Sequence, residues 1–374
     1  MFENRPKVRE ALKITLICLL VLVLLLGILA GAGWIYLNSK LDKVSRGDGI
    51  DYTQPIEDTS ILGKDLEINP KYLDVTRNGG KIEPPDGEIY SEKDVDNILL
   101  IGTDERDEEF ERSRADSMML LSINNRTNEM KLVSFERAIG VSIPDVGDDW
   151  LTHVFAYGGP ELLLQTIRSY FKVDVSRYVR VNFYVFETAI TDIGGVDIDL
   201  TEAEAEWMND IAQEDKFEEG INRFDGPTAL QYARIRQLDS DWHRIERQRK
   251  VIQAAVDQAT TLSLDKINLL ADKLLPMVDT NLTNAEMASL ILKVPTLAGT
   301  EIEQMTIPAE GTYGSDTLDN GRLIVSVDFA QNAEILKAFL YDLPMPTVQP
   351  ADDEDASSDS SSDSDSSSYY NSAA

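Results

Sequence analysis

Between Ile14 and Leu37 the chain reads ITLICLLVLVLLLGILAGAGWIYL, a run that contains no charged residue. A helix of that length crosses the roughly 30 Å hydrocarbon core of a bilayer. No soluble domain can be threaded through such a stretch, so it divides the chain. Arg5, Lys7, Arg9 and Lys13 precede it. That basic flank predicts a cytoplasmic N-terminus over residues 1–13, a single-pass cell-membrane anchor over residues 14–37, and an extracytoplasmic remainder. Trp34 and Tyr36 fall where the outer interface would lie. The competing reading is a cleaved signal peptide, for which Ala30-Gly31-Ala32 offers small residues. The run exceeds the apolar core of an ordinary signal, which favours the uncleaved anchor. The one cysteine, Cys18, lies inside the run, so no internal disulfide forms and its expected role is packing or lipid contact.

Residues 38–94 are polar, with scattered Pro, Gly and Asp, and read as an extracytoplasmic linker. At the other end, residues 346–374 close on DDEDASSDSSSDSDSSS. That composition cannot bury enough apolar surface to fold, and predicts a disordered tail. Residues 95–345 between them suffice for one sizeable domain. The formal net charge of -31 argues against a nucleic-acid partner, because phosphate backbones reward a basic surface.

Short apolar runs predict buried strands at 97–102 (NILLIG), 118–123 (MMLLSI) and 130–135 (MKLVSF), with Asn124–Asn128 as a turn. LTHVFAYGG leads into an amphipathic helix over Glu161–Phe171. Tyr178–Phe186 alternates, placing Val179, Val181, Phe183 and Val185 on one face and Arg180, Asn182 and Tyr184 on the other. Gly194-Gly195 marks a turn before a strand at Val196–Leu200. Helices are expected over Ile252–Leu275, Asn284–Leu292 and Phe329–Leu340, and a strand over Glu301–Pro308. Strands and helices alternate, which predicts an α/β fold with a mixed central sheet covered by helices.

Against the overall acidity, Asp225–Val251 gathers Arg234, Arg236, Arg244, Arg247, Arg249 and Lys250. The planar guanidinium fork matches phosphate oxygens, so the segment reads as an anion site. The alternative is a solvated helix laced with Arg–Asp and Arg–Glu pairs. Asp225-Gly226-Pro227 is a helix start. A second helix starting near Asp239–Asp241 would set Asp241, Arg244 and Gln248 on one face. Asp104 ends one strand and Asp116 starts the next. Such a pair can share one hard cation, Mg²⁺, or can serve as turn residues; both readings stand at this point. His153 reads as structural, and His243 is given no chemistry.

YARIR followed by DSDWHRIERQRKVI resembles the C-terminal signature of the LytR–CpsA–Psr family of membrane-anchored cell-wall phosphotransferases. NILLIGTDER with RADSMMLLSINNRTNEMKLVSFER resembles that family's N-terminal signature, and LTHVFAYGG and Tyr178–Asp199 match the blocks between them. The resemblance covers roughly Asp96–Val251 and runs on more weakly to about Leu343. It implies transfer of a glycopolymer phosphate from a polyprenyl-pyrophosphate carrier to a peptidoglycan hydroxyl. It further implies that Asp104 and Asp116 hold Mg²⁺ (or Mn²⁺), that Arg137, Arg234, Arg236, Asp241 and Arg244 carry catalysis, and that Arg114, Arg247 and Gln248 bind substrate. Asp241 and Asp116 are both candidates for the general base. The apolar region around Tyr178–Asp199 would help enclose the polyprenyl chain. Two other functions compete: a binder of lipid-linked polymer without turnover, and a membrane-bound transcriptional regulator, against which no DNA-reading motif occurs. One departure stands out. Where members read Ser-Ile-Pro-Arg-Asp, this chain reads Ser134-Phe135-Glu136-Arg137-Ala138. Loss of a carboxylate that orients arginines implies activity at a lower rate, which Ala138→Asp should raise. By strand alternation Glu136 is expected to face away from Arg137.

Overall fold

The computed structural model describes residues 36–56, 62, 82–105, 111–235, 238, 241–297 and 302–348. Of the anchor expected over residues 14–37 all but residues 36 and 37 lies outside them, and so does the expected tail from residue 349 on. Among the described residues no helix is long and apolar enough to cross a membrane.

The chain runs through β1 (Val95–Thr103), β2 (Ala115–Asn124), β3 (Met130–Phe135), β4 (Gly140–Ile143), β5 (Gly147–Trp150) and α1 (Leu151–Phe171). It continues with β6 (Arg177–Asn182), α2 (Phe183–Asp192), β7 (Val196–Leu200), α3 (Glu202–Ala212), β8 (Gly220–Phe224) and α4 (Gly226–Ala233). After these come α5 (Asp241–Thr260), α6 (Leu264–Leu274), β9 (Asp279–Thr280), α7 (Asn284–Leu297), β10 (Ile302–Ile307), β11 (Tyr313–Thr317), β12 (Leu323–Val327) and α8 (Phe329–Leu340). The central sheet has the order β10-β3-β2-β1-β6-β9. It is mixed: β1 with β6 and β3 with β10 are parallel, while β1–β2, β2–β3 and β6–β9 are antiparallel.

The period of two along the strands divides their side chains between two layers. Leu99, Ile101, Met118, Leu120 and Val133 join Trp150, Phe155 and Ile167 around α1, with Leu336 of α8. Leu100, Met119 and Leu132 point the other way, toward Ile252 of α5 and Leu290 of α7. Helices thus cover both faces, as the α/β reading predicts. A separate cluster joins the β7–β8 hairpin to α3, α4 and α5 through Ile198, Met208, Phe224, Tyr232 and Val251. Gly226 lets α4 sit against α2, since a Cβ there would stand 2.0 Å from the Glu187 carbonyl oxygen.

Four local readings change. Tyr178–Phe186 does not continue as a strand: the Asn182 side chain accepts the Val185 N–H at 2.9 Å and caps α2, which begins at Phe183. The alternation also has a different meaning, because Tyr178, Arg180 and Asn182 form the buried face of β6. α1 starts at Leu151 rather than Glu161, and is broken where Gly158 and Gly159 leave helical backbone values. The expected helix Ile252–Leu275 is two helices, with the Ser263 hydroxyl capping α6 by accepting the Lys266 N–H. Finally, much of the stretch read as linker is packed into the domain. Residues 36–41 form a helical turn. Leu41 and Val44 are buried with Leu282, Met287 and Ala288, and Ser45 pairs with Asp279. A mainly polar segment needs only a few apolar side chains and a remote ionic partner to dock, and composition reveals neither.

Candidate functional site

The pairing of β1 with β2 slips by one residue: Gly102 stands opposite Ser117, but Thr103 stands opposite Ala115. Asp116 is therefore the extra residue of a β-bulge, a device that re-aims a side chain at the end of a ladder. Gly102 makes the close approach possible, for a Cβ there would meet Ser117 Cβ at 3.0 Å. The bulge brings Asp116 beside Asp104, which follows the last residue of β1. Arg114 spans the two carboxylates, with Nη2 3.0 Å from Asp104 Oδ2 and Nε 3.9 Å from Asp116 Oδ1. Arg137 Nη1 also lies 3.9 Å from Asp116 Oδ1. Burial, and next the negative charge of Asp116, push the Asp104 carboxyl above its ordinary value, partly offset by Arg114. A cation between two such carboxylates would relieve their repulsion. Among the described residues no group of three or more His, Cys, Asp or Glu side chains is placed to hold a metal. Two carboxylates suit Mg²⁺, which keeps waters and takes the rest of its ligands from a phosphate substrate.

The arginine segment comes to the same place. Asp225 caps α4 by accepting the Thr228 N–H at 3.0 Å, with Pro227 in the first turn, as the sequence predicts. Arg234 closes α4, and its guanidinium lies 4.7 Å from the Phe183 ring centroid. On α5, Arg244 Nη1 donates to the Asp116 carbonyl at 3.3 Å, and the Ser117 hydroxyl donates to Gln248 Oε1 at 3.3 Å. Between these groups and the sheet lies a cavity of about 290 Å³. Asp116, Ser117, Asn182, Arg234, Arg244 and Gln248 supply its polar wall. Leu100, Met119, Val179, Val181, Phe183, Phe186, Leu230 and Ile252 supply the apolar one. A site with an apolar bore and an arginine-carboxylate rim can take a molecule with a hydrocarbon part and an anionic part.

Of the residues singled out from sequence, the structure brings together Asp104, Arg114, Asp116, Arg137, Arg234, Arg244 and Gln248. It does not bring Arg247. That side chain is buried, donates from Nε to Glu204 Oε1 at 2.8 Å and from Nη1 to the Ile235 carbonyl at 3.3 Å. On a helix Arg247 and Gln248 are offset by about 100°, so one can face the cavity while the other faces α3. Asp241 opens α5; its side chain, like the whole of Arg236, lies outside the described residues. β3 ends at Phe135, and Glu136 Oε1 accepts the Ala138 N–H at 3.3 Å, so a carboxylate stands beside the residue that lacks one. His153 is structural: buried, its Nδ1 lies 2.9 Å from Asp149 Oδ1, with Arg322 on the same carboxylate. Asn182 and Phe186 line the cavity from within the region Tyr178–Asp199 that the resemblance assigns to the polyprenyl chain, whereas Ser117 is a cavity residue that the sequence reading did not single out. Its one available signal was its place beside Asp116 in the block RADSMMLLSI, which carries the strand at 118–123.

Known proteins place the architecture. The family model for LytR_cpsA_psr matches residues 66–338. The polyisoprenyl-teichoic acid–peptidoglycan teichoic acid transferase TagU of Oceanobacillus iheyensis is 36% identical over 233 residues, covering 60% of this chain and 69% of the relative. The enzyme of the same description named TagT, from Bacillus subtilis, is 29% identical over 222 residues, covering 57% and 68%. A solved structure of TagT bound to LIIa-WTA superimposes with a TM-score of 0.55 at 26% identity, over 67% of this chain and 91% of that one. Fold, ordered motifs and matched span agree, and the chain belongs to the LytR_cpsA_psr family.

Proposed function

We propose that this protein transfers a glycopolymer phosphate from a polyprenyl-pyrophosphate carrier to a hydroxyl of peptidoglycan, as its named relatives transfer teichoic acid. The observation that carries the reading is one cavity whose walls are apolar on β6, α2 and α5 and whose rim holds Asp116, Arg234 and Arg244. The hydrocarbon chain would lie against Val181, Phe183 and Ile252, and the pyrophosphate against the arginines.

In the reaction the acceptor oxygen forms a bond to the phosphorus that carries the glycopolymer, and the bond from that phosphorus to the bridging oxygen breaks. Polyprenyl phosphate leaves, and the acceptor proton must pass to a base. Negative charge grows on the leaving phosphate, so catalysis rests on positioning and fixed positive charge. Arg234 and Arg244 line the cavity, where they can bind the phosphates. Arg114 and Arg137 hold the two carboxylates in register. Asp104 and Asp116 would hold Mg²⁺ (or Mn²⁺), which when bound supplies further positive charge against the pyrophosphate. Asp116 and Asp241 are the candidate bases, and Asp241→Asn with Asp116 intact separates them.

The uncharged run 14–37 behind a basic flank supports a membrane anchor with the catalytic domain outside the cytoplasm. That placement puts the site on the side of the membrane where peptidoglycan lies. The deciding experiment is product analysis with the full chain, a polyprenyl-pyrophosphate-linked glycan, peptidoglycan oligomers and Mg²⁺. Polymer joined to peptidoglycan supports the reading. Tight capture of the lipid with no joined product would instead make the protein a binder.

A further inference from the structure

We propose that the segment 45–52 belongs to the catalytic framework, and that Asp48, acting through Arg180, is a positioning residue for the turn that carries Asp104. The inference rests on the transferase reading for its kinetic consequence, and on geometry alone for the coupling.

Arg180 sits on β6 opposite Ile101 of β1, with its side chain fully buried. A guanidinium removed from water needs every donor placed. Nε donates to Thr103 Oγ1 at 3.3 Å, Nη2 to the Glu105 carboxylate and to the Glu111 carbonyl at 3.0 Å, and Nη1 to the Asp48 carboxylate. Thr103 and Glu105 flank Asp104 in sequence. One side chain therefore grips the chain on both sides of Asp104. Glu105 is fixed in turn by the Ser113 hydroxyl at 2.7 Å, and its carbonyl accepts the Phe183 N–H at 3.1 Å. The grip thus reaches the start of α2, where Phe183 lines the cavity.

Asp48 is delivered by a segment that is anchored on its own account. Gly47 N–H donates to Asp279 Oδ1 at 2.8 Å, and Ser45 bonds to the backbone on either side of Asp279. Tyr52 donates to Asp48 Oδ2 at 2.8 Å and packs edge-on to Phe155, 6.2 Å between centroids. Its ring fills the space that a Cβ on Gly159 would need, 2.6 Å from that position. So the break in α1 receives the segment, and the segment holds the second carboxylate of the arginine. Two acids share one guanidinium. Removing the charge of Asp48 leaves Glu105 to balance Arg180, so the fold should survive, while the direction of Nη1, and with it the Asp104 turn, loses its outer restraint. The segment begins within ten residues of the apolar run, which makes the catalytic turn sensitive to chain that composition assigns to a tether.

The test compares the full chain as wild type, Asp48→Asn, Asp48→Glu and Asp51→Asn. Asp51 lies in the same segment, but among the described residues its carboxylate bonds locally, to Thr53 and Gln54. Asp48→Asn should lower kcat about tenfold with KM changed by no more than about twofold, as loss of an outer restraint on a reacting group does. Asp48→Glu should recover part of that loss, and Asp51→Asn should match wild type. Hydrogen exchange of amides 99–105 and 111–115 should quicken in Asp48→Asn, with β3 and β10 unchanged. A lowered melting temperature with wild-type kcat and wild-type exchange at 99–105 would make Asp48 a plain tether and overturn the proposal. An equal loss in Asp51→Asn would overturn it too. If wild type transfers nothing, the transferase reading falls and exchange alone decides the coupling: faster exchange upholds it, unchanged exchange ends it.

Discussion

Asp104 is held at a cost. Burial and the neighbouring Asp116 raise its carboxyl above the ordinary 3.8, so the ionised form is disfavoured in the folded chain relative to the unfolded one. That penalty is absent well below 3.8 and present at neutral pH. Asp104→Asn should therefore raise the melting temperature near pH 7 while lowering transfer by about two orders of magnitude or more. Calorimetry and the product assay read the two effects separately, and an unchanged rate would remove Asp104 from the reaction. Glu136 and Ala138 pose a second question at this scale. The family difference invites Ala138→Asp, with a faster enzyme as the result. The structure sets a stability cost against that gain: Ala138 is fully buried and its N–H already faces the Glu136 carboxylate. A second carboxylate there should cost on the order of 3 kcal/mol of stability, because its charge would be buried beside a like one. Chemical denaturation of the two variants side by side measures it. Glu136→Gln, which keeps the shape and drops the charge, should lower kcat about tenfold if Glu136 has taken over the orienting of arginines.

Among the elements, α5 has two jobs on two faces. Arg244 and Gln248 meet β2 at the bulge, while Arg247 binds Glu204, which also closes the capping box at the start of α3 with Thr201. Burial pushes the Glu204 carboxyl up, but the hydrogen bonds from Arg247 and the Thr201 N–H and the charge of Lys250 outweigh it and hold the carboxyl below 4.5. A depressed carboxyl stabilises the fold above its unfolded value, and the contribution is lost as pH falls through the lower folded value. Glu204→Gln should thus cost about 3 kcal/mol at pH 7, with the gap from wild type closing as the pH drops below 4.5. Denaturation midpoints across pH 3–7 would show a constant gap if this pair were unimportant. Arg247→Ala should share that stability loss, whereas Arg244→Ala should lose transfer with far less effect on the fold.

For the molecule as a whole, the ends are expected to behave oppositely. Deleting Ala351–Ala374 should leave melting temperature and transfer unchanged, because a Ser/Asp run forms few packed contacts. A large fall in either would mean that the acidic tail docks, with the arginine rim of the cavity as the first place to look. The other end is packed into the core: helical turn 36–41 and the segment after it meet β9 and α7 through Leu41, Val44 and Ser45.

Local chemistry written along the chain was enough for the strands at 97–102, 118–123 and 130–135, the capped start of α4, the mixed α/β class and the gathering of arginines over Asp225–Val251, while the carboxylate pair was singled out through the family resemblance. Period, cap and breaker are properties of neighbours in sequence, so they survive without a structure. The division of labour between Arg247 and Arg244, the bulge that turns Asp116 toward Asp104, and the burial of Arg180 under Asp48 were not legible. Each depends on which distant surface a side chain meets, and an arginine in a string has the same charge whether it faces a phosphate or a buried glutamate. Tertiary packing alone decides that, because only the folded chain brings in the partner, whether it lies 43 residues away, as Glu204 does from Arg247, or 132, as Asp48 does from Arg180.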